Sequence, residues 1–89
     1  MIEKEIEIIN KLGLHARAAA KLVKLASGFD CNIDIQKEDQ RVNAKSIMGV
    51  MMLAASRGNT VTVYVEGNEE DRAMQAVEHL INDKFDEPE

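Results

Sequence analysis

The chain lacks most of the features by which a small protein staples itself, crosses a membrane or catalyses alone. It has one cysteine, Cys31, so no internal disulfide can form. Cys31 lies in an alternating run and is expected to be a small buried hydrophobe. No apolar run reaches the length of a membrane span, and no basic, then apolar segment opens the sequence. Neither membrane insertion nor secretion is expected, and the cytoplasm is the expected location. No Cys/His/carboxylate set has ligand spacing, so no metal is expected, and His79 reads as an exposed helix residue. A nucleophile elbow, a glycine-rich phosphate loop and paired carboxylates are all missing, which argues against a hydrolase or a cofactor enzyme. There is no repeat and no linker, and 89 residues make one domain, 1–89.

Charge is present but uneven. The net charge of -5 argues against a nucleic-acid partner. Between Lys11 and Lys24, however, the charged residues are all basic: Lys11, Arg17, Lys21 and Lys24. From Glu66 onward acids dominate, with only Arg72 and Lys84 against them. The basic stretch is therefore the part suited to an anionic group or partner, and the acidic end is expected to serve solubility.

Periodicity gives the element order. Ile2, Ile6 and Ile8 alternate with polar residues as a first strand. Over Ala16 to Ser27 the period becomes helical, with Ala19, Leu22, Val23 and Ala26 as the inward stripe and Gly28 as the stop. Cys31 to Gln36 alternates as a second strand, Lys37–Gln40 reads as a turn, and Arg41–Ala44 as a third strand. Ser46 precedes an apolar segment from Ile47 to Ala55, closed by Gly58. Thr60 to Val65 is a fourth strand. Asn68 with Asp71 resembles a capping box opening a last helix, whose stripe is Ala73, Met74, Val77, Leu80 and Ile81. Asp86 to Glu89 is expected to fray. The order β-α-β-β-α-β-α predicts a two-layer α/β (α+β) sandwich, its sheet covered on one face by three helices.

The most suggestive chemistry lies at Leu12-Gly13-Leu14-His15-Ala16-Arg17. Here an imidazole sits where a helix begins. The free N–H groups and partial positive charge of a helix N-terminus favour a bound phosphate, so the backbone of Ala16, Arg17 and Ala18 is a candidate phosphate site. The same field favours a neutral ring, which can attack a phosphoryl donor. Arg17 would stabilise the added charge. Gly13 fits the turn and would leave room for a partner, and Lys11, Lys21 and Lys24 would ring the site. Against this, a histidine at a helix start is often only a surface or capping residue, and the basic residues could be a solvated face.

The segment Asn10-Lys11-Leu12-Gly13-Leu14-His15-Ala16-Arg17 resembles the active-site signature of the HPr family, histidine phosphocarriers of the phosphoenolpyruvate-dependent sugar phosphotransferase system. A second block, Asn43-Ala44-Lys45-Ser46-Ile47-Met48-Gly49-Val50-Met51-Met52-Leu53, resembles that family's regulatory-serine segment. The resemblance covers nearly the whole chain. It implies an open-faced β-sandwich with an antiparallel sheet in the order 1-4-2-3. It also implies that His15 takes a phosphoryl group on Nδ1 from enzyme I and passes it to enzyme IIA domains. Arg17 would contact the phosphate, and Ser46 would be phosphorylated by an HPr kinase/phosphorylase. One departure stands out: the family usually has proline where this chain has Ala18. Alanine keeps the helix and restores one N–H, so transfer should be retained.

Ser46 is also a good N-cap by residue type. Ile47, Met48, Met51 and Met52 make the following segment apolar on more than one face, and Gly49 weakens it as a helix. With Leu14, Ala20, Lys21, Lys24 and Ser27 they form the expected partner surface, an apolar centre with a basic rim. A shuttle of this kind is expected to be monomeric and to need no cofactor. Two other readings remain. Leu25-Ala26-Ser27-Gly28-Phe29-Asp30 resembles the nitrogen-regulatory branch of the family, and a binding module acting through phospho-Ser46 is the second.

Overall fold

Alternation along the strands becomes a sheet with one dry face. The computed structural model describes residues 1–89. Its elements are β1 (Ile2–Glu7), α1 (Ala16–Ser27), β2 (Cys31–Lys37), β3 (Gln40–Asn43), α2 (Ile47–Met52), β4 (Thr60–Gly67) and α3 (Glu70–Asn82). The strands pair antiparallel in the order β1-β4-β2-β3. Ile6 faces Val61 across β1 and β4, and Ile33 and Ile35 of β2 face Val65 and Val63. All six are buried, so this register puts every large apolar strand residue on the covered side. A one-residue slip would send them all to water.

The helices supply the cover. α1 turns Ala18, Ala19, Leu22 and Ala26 inward, and α3 turns in Ala73, Met74, Val77 and Ile81. α1 packs against both α2 and α3. Alanines at the contact let α1 approach closely, while Leu22 fills the space between. Burying such a leucine contributes about 1.5–3 kcal/mol. The opposite sheet face stays polar. There the Arg41 guanidinium stacks 3.7 Å over the Tyr64 ring and bonds Asp34 at 2.9 Å, and the Tyr64 hydroxyl donates to Gln36 at 2.7 Å. No helix is long and apolar enough to cross a membrane.

The structure corrects several boundaries. The hairpin turn is Glu38–Asp39 alone, with Glu38 at φ 55°, so β3 starts one residue early. The apolar run after Ser46 is helical only to Met52; within that helix only Val50 is buried, while Leu53 and Ala55 beyond it also join the core. Lys37 donates to the Leu53 and Ala54 carbonyls and so completes the end of this short helix. Gly28 ends α1 in a right-handed conformation, φ −80°, not as a left-handed C′ glycine. Asn68 does not cap α3. The N-cap is Glu69 in the left-handed region, and the next residue, Glu70, accepts from the Gly67 N–H at 3.0 Å and from the N-terminal ammonium at 3.1 Å.

The largest correction concerns the chain's end. Lys84, Phe85 and Asp86 form a left-handed turn with φ of 56°, 55° and 63°. Each such non-glycine residue costs about 1–2 kcal/mol, so the turn persists only where its surroundings over-determine it. Here Phe85 is wholly buried, and the Phe85 carbonyl accepts from Lys21 Nζ at 2.8 Å. The acidic tail is therefore docked rather than frayed.

Candidate functional site

The loop that presents His15 is fixed by glycine chemistry and by two backbone contacts. Gly13 has φ 67°, and a Cβ there would lie 2.5 Å from the Ala55 carbonyl oxygen and 2.7 Å from Ser56 Cα. The room that Gly13 leaves is thus filled by this chain's own backbone, not by a partner. The Leu14 N–H donates to the Ala55 carbonyl at 2.8 Å and ties the loop to the segment after α2. Asn10 is completely buried, and its Nδ2 donates to the Gly13 carbonyl at 2.9 Å. The chain therefore leaves β1, turns tightly and delivers residue 15 to the start of α1.

His15 is the N-cap of α1, in extended geometry with φ −76° and ψ 179°. Its carbonyl accepts from the Ala19 N–H at 2.8 Å, while the imidazole caps nothing. The ring lies partly exposed in an open depression of about 580 Å³, lined by Lys11, Leu12, Ala16, Arg17, Glu87, Pro88 and Glu89. The Arg17 side chain makes no hydrogen bond or salt bridge within the chain, so its guanidinium is free for an anion. The N–H groups of Ala16 and Arg17 open the helix on exposed residues. Ala18 has no exposed surface and packs into the core, so its N–H does not belong to the phosphate-facing set.

Glu87 crosses from the tail to the ring. Its carboxylate contacts His15 Nε2 through one oxygen and accepts from Asn10 Nδ2 at 3.0 Å through the other. Its side chain is only 8% exposed. Burial pushes the Glu87 carboxyl up, but the bonds from Asn10 and His15 and the nearby Arg17 charge outweigh it, leaving it below the ordinary value. Sequence reasoning missed Asn10, Glu87 and the exposed Leu12. Leu12 had a signal, an apolar residue outside any periodic stripe; Glu87 had none.

The expected basic ring and partner surface are redistributed. Lys11 stays at the depression, where Nζ lies 3.6 Å from Glu89. Lys21 and Lys24 line a different groove with Leu25, Phe29 and Leu80, and Lys21 holds the tail. Leu14 is buried and belongs to the core, not to a docking surface. Ala20 and Ser27 are exposed on α1. On α2, Met48 and Met52 are 68% and 65% exposed, with Ile47 and Met51 half as bare or more. The Ser46 oxygen accepts from the Gly49 N–H at 3.2 Å, and Ser46 itself is exposed. A Cβ on Gly49 would come within 3.2 Å of Val42, so glycine lets α2 sit close to β3. Cys31 is buried and free, and burial raises its thiol pKa.

A four-stranded antiparallel sheet in this order, three covering helices and a histidine at the first helix start define a recognisable class of small carrier domain. The family model described as "PTS HPr component phosphorylation site" matches residues 2–83. The phosphocarrier protein HPr of Xylella fastidiosa strain Temecula1 is 51% identical over 87 residues, covering 98% of each chain. Among solved structures, HPr-C-His from Thermoanaerobacter tengcongensis superposes with a TM-score of 0.96 at 49% identity, covering all of both chains. An HPr dimer from the same organism gives a TM-score of 0.78 at 50% identity, covering 98% of this chain and 100% of that one. The chain belongs to the HPr family, the phosphocarriers of the phosphotransferase system.

Proposed function

We propose that this chain carries a phosphoryl group on His15, taking it on Nδ1 from phosphorylated enzyme I and passing it to enzyme IIA domains. The observation that carries the reading is the meeting of three features in one open depression. They are the His15 ring, the unpaired Arg17 guanidinium, and the free first-turn N–H groups of Ala16 and Arg17. Together they stabilise added negative charge without enclosing it, as a carrier requires, because the group must leave again. The half-bare methionines of α2 give an adaptable apolar surface for more than one partner. A monomer in the cytoplasm suits a shuttle that must leave each partner in turn.

Ser46 is the proposed regulatory site. Its exposed hydroxyl can be phosphorylated by an HPr kinase/phosphorylase, and the phosphate would place negative charge beside the methionine patch. The test of the carrier reading is incubation with enzyme I and phosphoenolpyruvate, followed by mass measurement. One acid-labile phosphate is expected, absent in His15→Ala; an unmodified wild-type chain would overturn the reading. Ser46→Asp is expected to lower the rate of transfer from enzyme I, and an unchanged rate would remove Ser46 from the scheme.

A further inference from the structure

The tail begins where the family match ends, at residue 83. Its anchors are strong for so short a segment. Phe85 is wholly buried, Lys21 Nζ donates to the Phe85 carbonyl at 2.8 Å, and the Lys11 N–H donates to the Glu89 carbonyl at 3.0 Å. Between these anchors Glu87 turns inward onto Asn10 and His15. An ionised carboxylate can only accept hydrogen bonds, so the His15 nitrogen it meets, Nε2, bears the hydrogen. In the neutral ring the lone pair then lies on Nδ1. Asn10 fixes the other carboxylate oxygen, which sets the direction from which Glu87 approaches. The charged groups facing the ring are Glu87 and Glu89 of the tail, Lys11 of the loop and Arg17 of α1.

Resting on the phosphoryl-acceptor reading of His15, we propose that Glu87 is a positioning residue that keeps the proton on His15 Nε2 throughout the transfer cycle. In the loading step the Nδ1 lone pair forms the N–P bond while the donor's bond to phosphorus breaks, its electron pair leaving with the donor. The Nε2 proton stays, so the phosphorylated ring is cationic and Glu87 is its counter-ion. In the onward step a lone pair of the acceptor's nucleophile forms the new bond to phosphorus while the N–P bond breaks, its electron pair returning to Nδ1, and the ring departs as neutral imidazole. No proton enters or leaves the ring in either step. Were Nε2 deprotonated, the ring would have to depart as an anion, a far poorer leaving group. The carboxylate thus does for this histidine what an orienting acid does for the base of a catalytic triad: it fixes the tautomer and stabilises the cation.

The experiment compares the wild type with Glu87→Gln and Glu87→Ala, both of which retain Phe85. Each is loaded with potassium phosphoramidate, and phosphoryl loss is followed by phosphorus NMR across pH. The nitrogen shifts of the unphosphorylated ring report its tautomer. At neutral pH both variants are expected to lose the group roughly three- to tenfold more slowly, the scale of one partly exposed charge-assisted hydrogen bond. Their rates should also fall away at lower pH than in the wild type. Glu87→Gln, which keeps an acceptor, should retain the Nε2–H tautomer, whereas Glu87→Ala should raise the Nδ1–H fraction severalfold. Superimposable pH profiles in all three proteins would overturn the proposal. Faster loss in the variants would also overturn it, making the tail a lid. So would a phosphoryl group found on Nε2. A wild type that takes no group on His15 defeats the carrier reading itself, a result separable from all of these.

Discussion

At the scale of single residues, Gly13 and Glu87 govern the site in opposite ways. Gly13 acts by having no side chain: its φ of 67° and its approach to Ala55 leave no space for a Cβ. Gly13→Ala is therefore expected to destabilise the fold by about 2–4 kcal/mol, the sum of left-handed strain and overpacking. Denaturant unfolding would measure this, and a loss below 0.5 kcal/mol would contradict the described turn. Glu87 acts through charge. Its carboxyl is depressed in the folded state, so its contribution is fully present above the ordinary glutamate value of 4.5 and is lost as pH falls through the lower folded value. Acid titration should loosen the tail in that window, seen as faster amide exchange at the Lys11 N–H. Glu87→Gln should flatten this dependence, and an undiminished slope in that variant would assign it to another acid.

At the scale of elements, α1 and α2 divide the work. α1 positions the histidine and buries a stripe of alanines and Leu22; α2 buries one residue, Val50, and bares its methionines. A six-residue helix with glycine inside it has little stability of its own, so its cap matters. Ser46→Ala is expected to cost about 1 kcal/mol, with the loss largest in exchange protection of the Gly49 N–H. Ala18→Pro addresses α1. The Ala18 N–H makes no bond in the chain, so proline removes nothing and stiffens the unfolded state, a gain of about 0.4–1 kcal/mol. A drop in melting temperature instead would mean that the buried site has no space for the ring.

The strands and both long helices were legible in the sequence because each writes its burial as a period. Ile33 and Ile35 alternate with polar residues, and Leu22 and Ala26 are one helical turn apart. His15 and Arg17 were legible as neighbours on a short motif. The rest depended on partners distant along the chain. Asn68 resembled a cap, yet the left-handed Glu69 took that place because Glu70 is drawn to the Gly67 N–H and the N-terminal ammonium. Leu14 looked like surface beside the histidine, but the bond from its N–H to Ala55 turns the side chain's neighbourhood inward. The tail had one phenylalanine among acids and no period. Its docking rests on Lys21 and Asn10, which lie far from it in sequence.

At the scale of the whole molecule, the two ends of the chain meet the fold at different places. The N-terminal ammonium pairs with Glu70 at the start of α3, and the tail returns across α1 to the loop after β1. Phe85 joins the core that the sheet and helices share, so tail and domain should unfold together. Phe85→Ala is expected to cost about 3–5 kcal/mol and to release Glu87 from His15 at the same time. Global unfolding combined with the ring's nitrogen shifts would test this coupling. A large loss of stability with the ring still held would separate the two roles.

The docked tail also has a practical consequence for handling the protein. Residues appended after Glu89, such as an affinity tag or a fusion partner, would emerge beside the imidazole, where Lys11 meets Glu89. The same extension placed before Met1 would emerge near Glu70, where it would disturb only one exposed ion pair. Samples tagged at opposite ends are thus different reagents for measuring phosphoryl exchange, and an assay standardised on one should not be calibrated with the other.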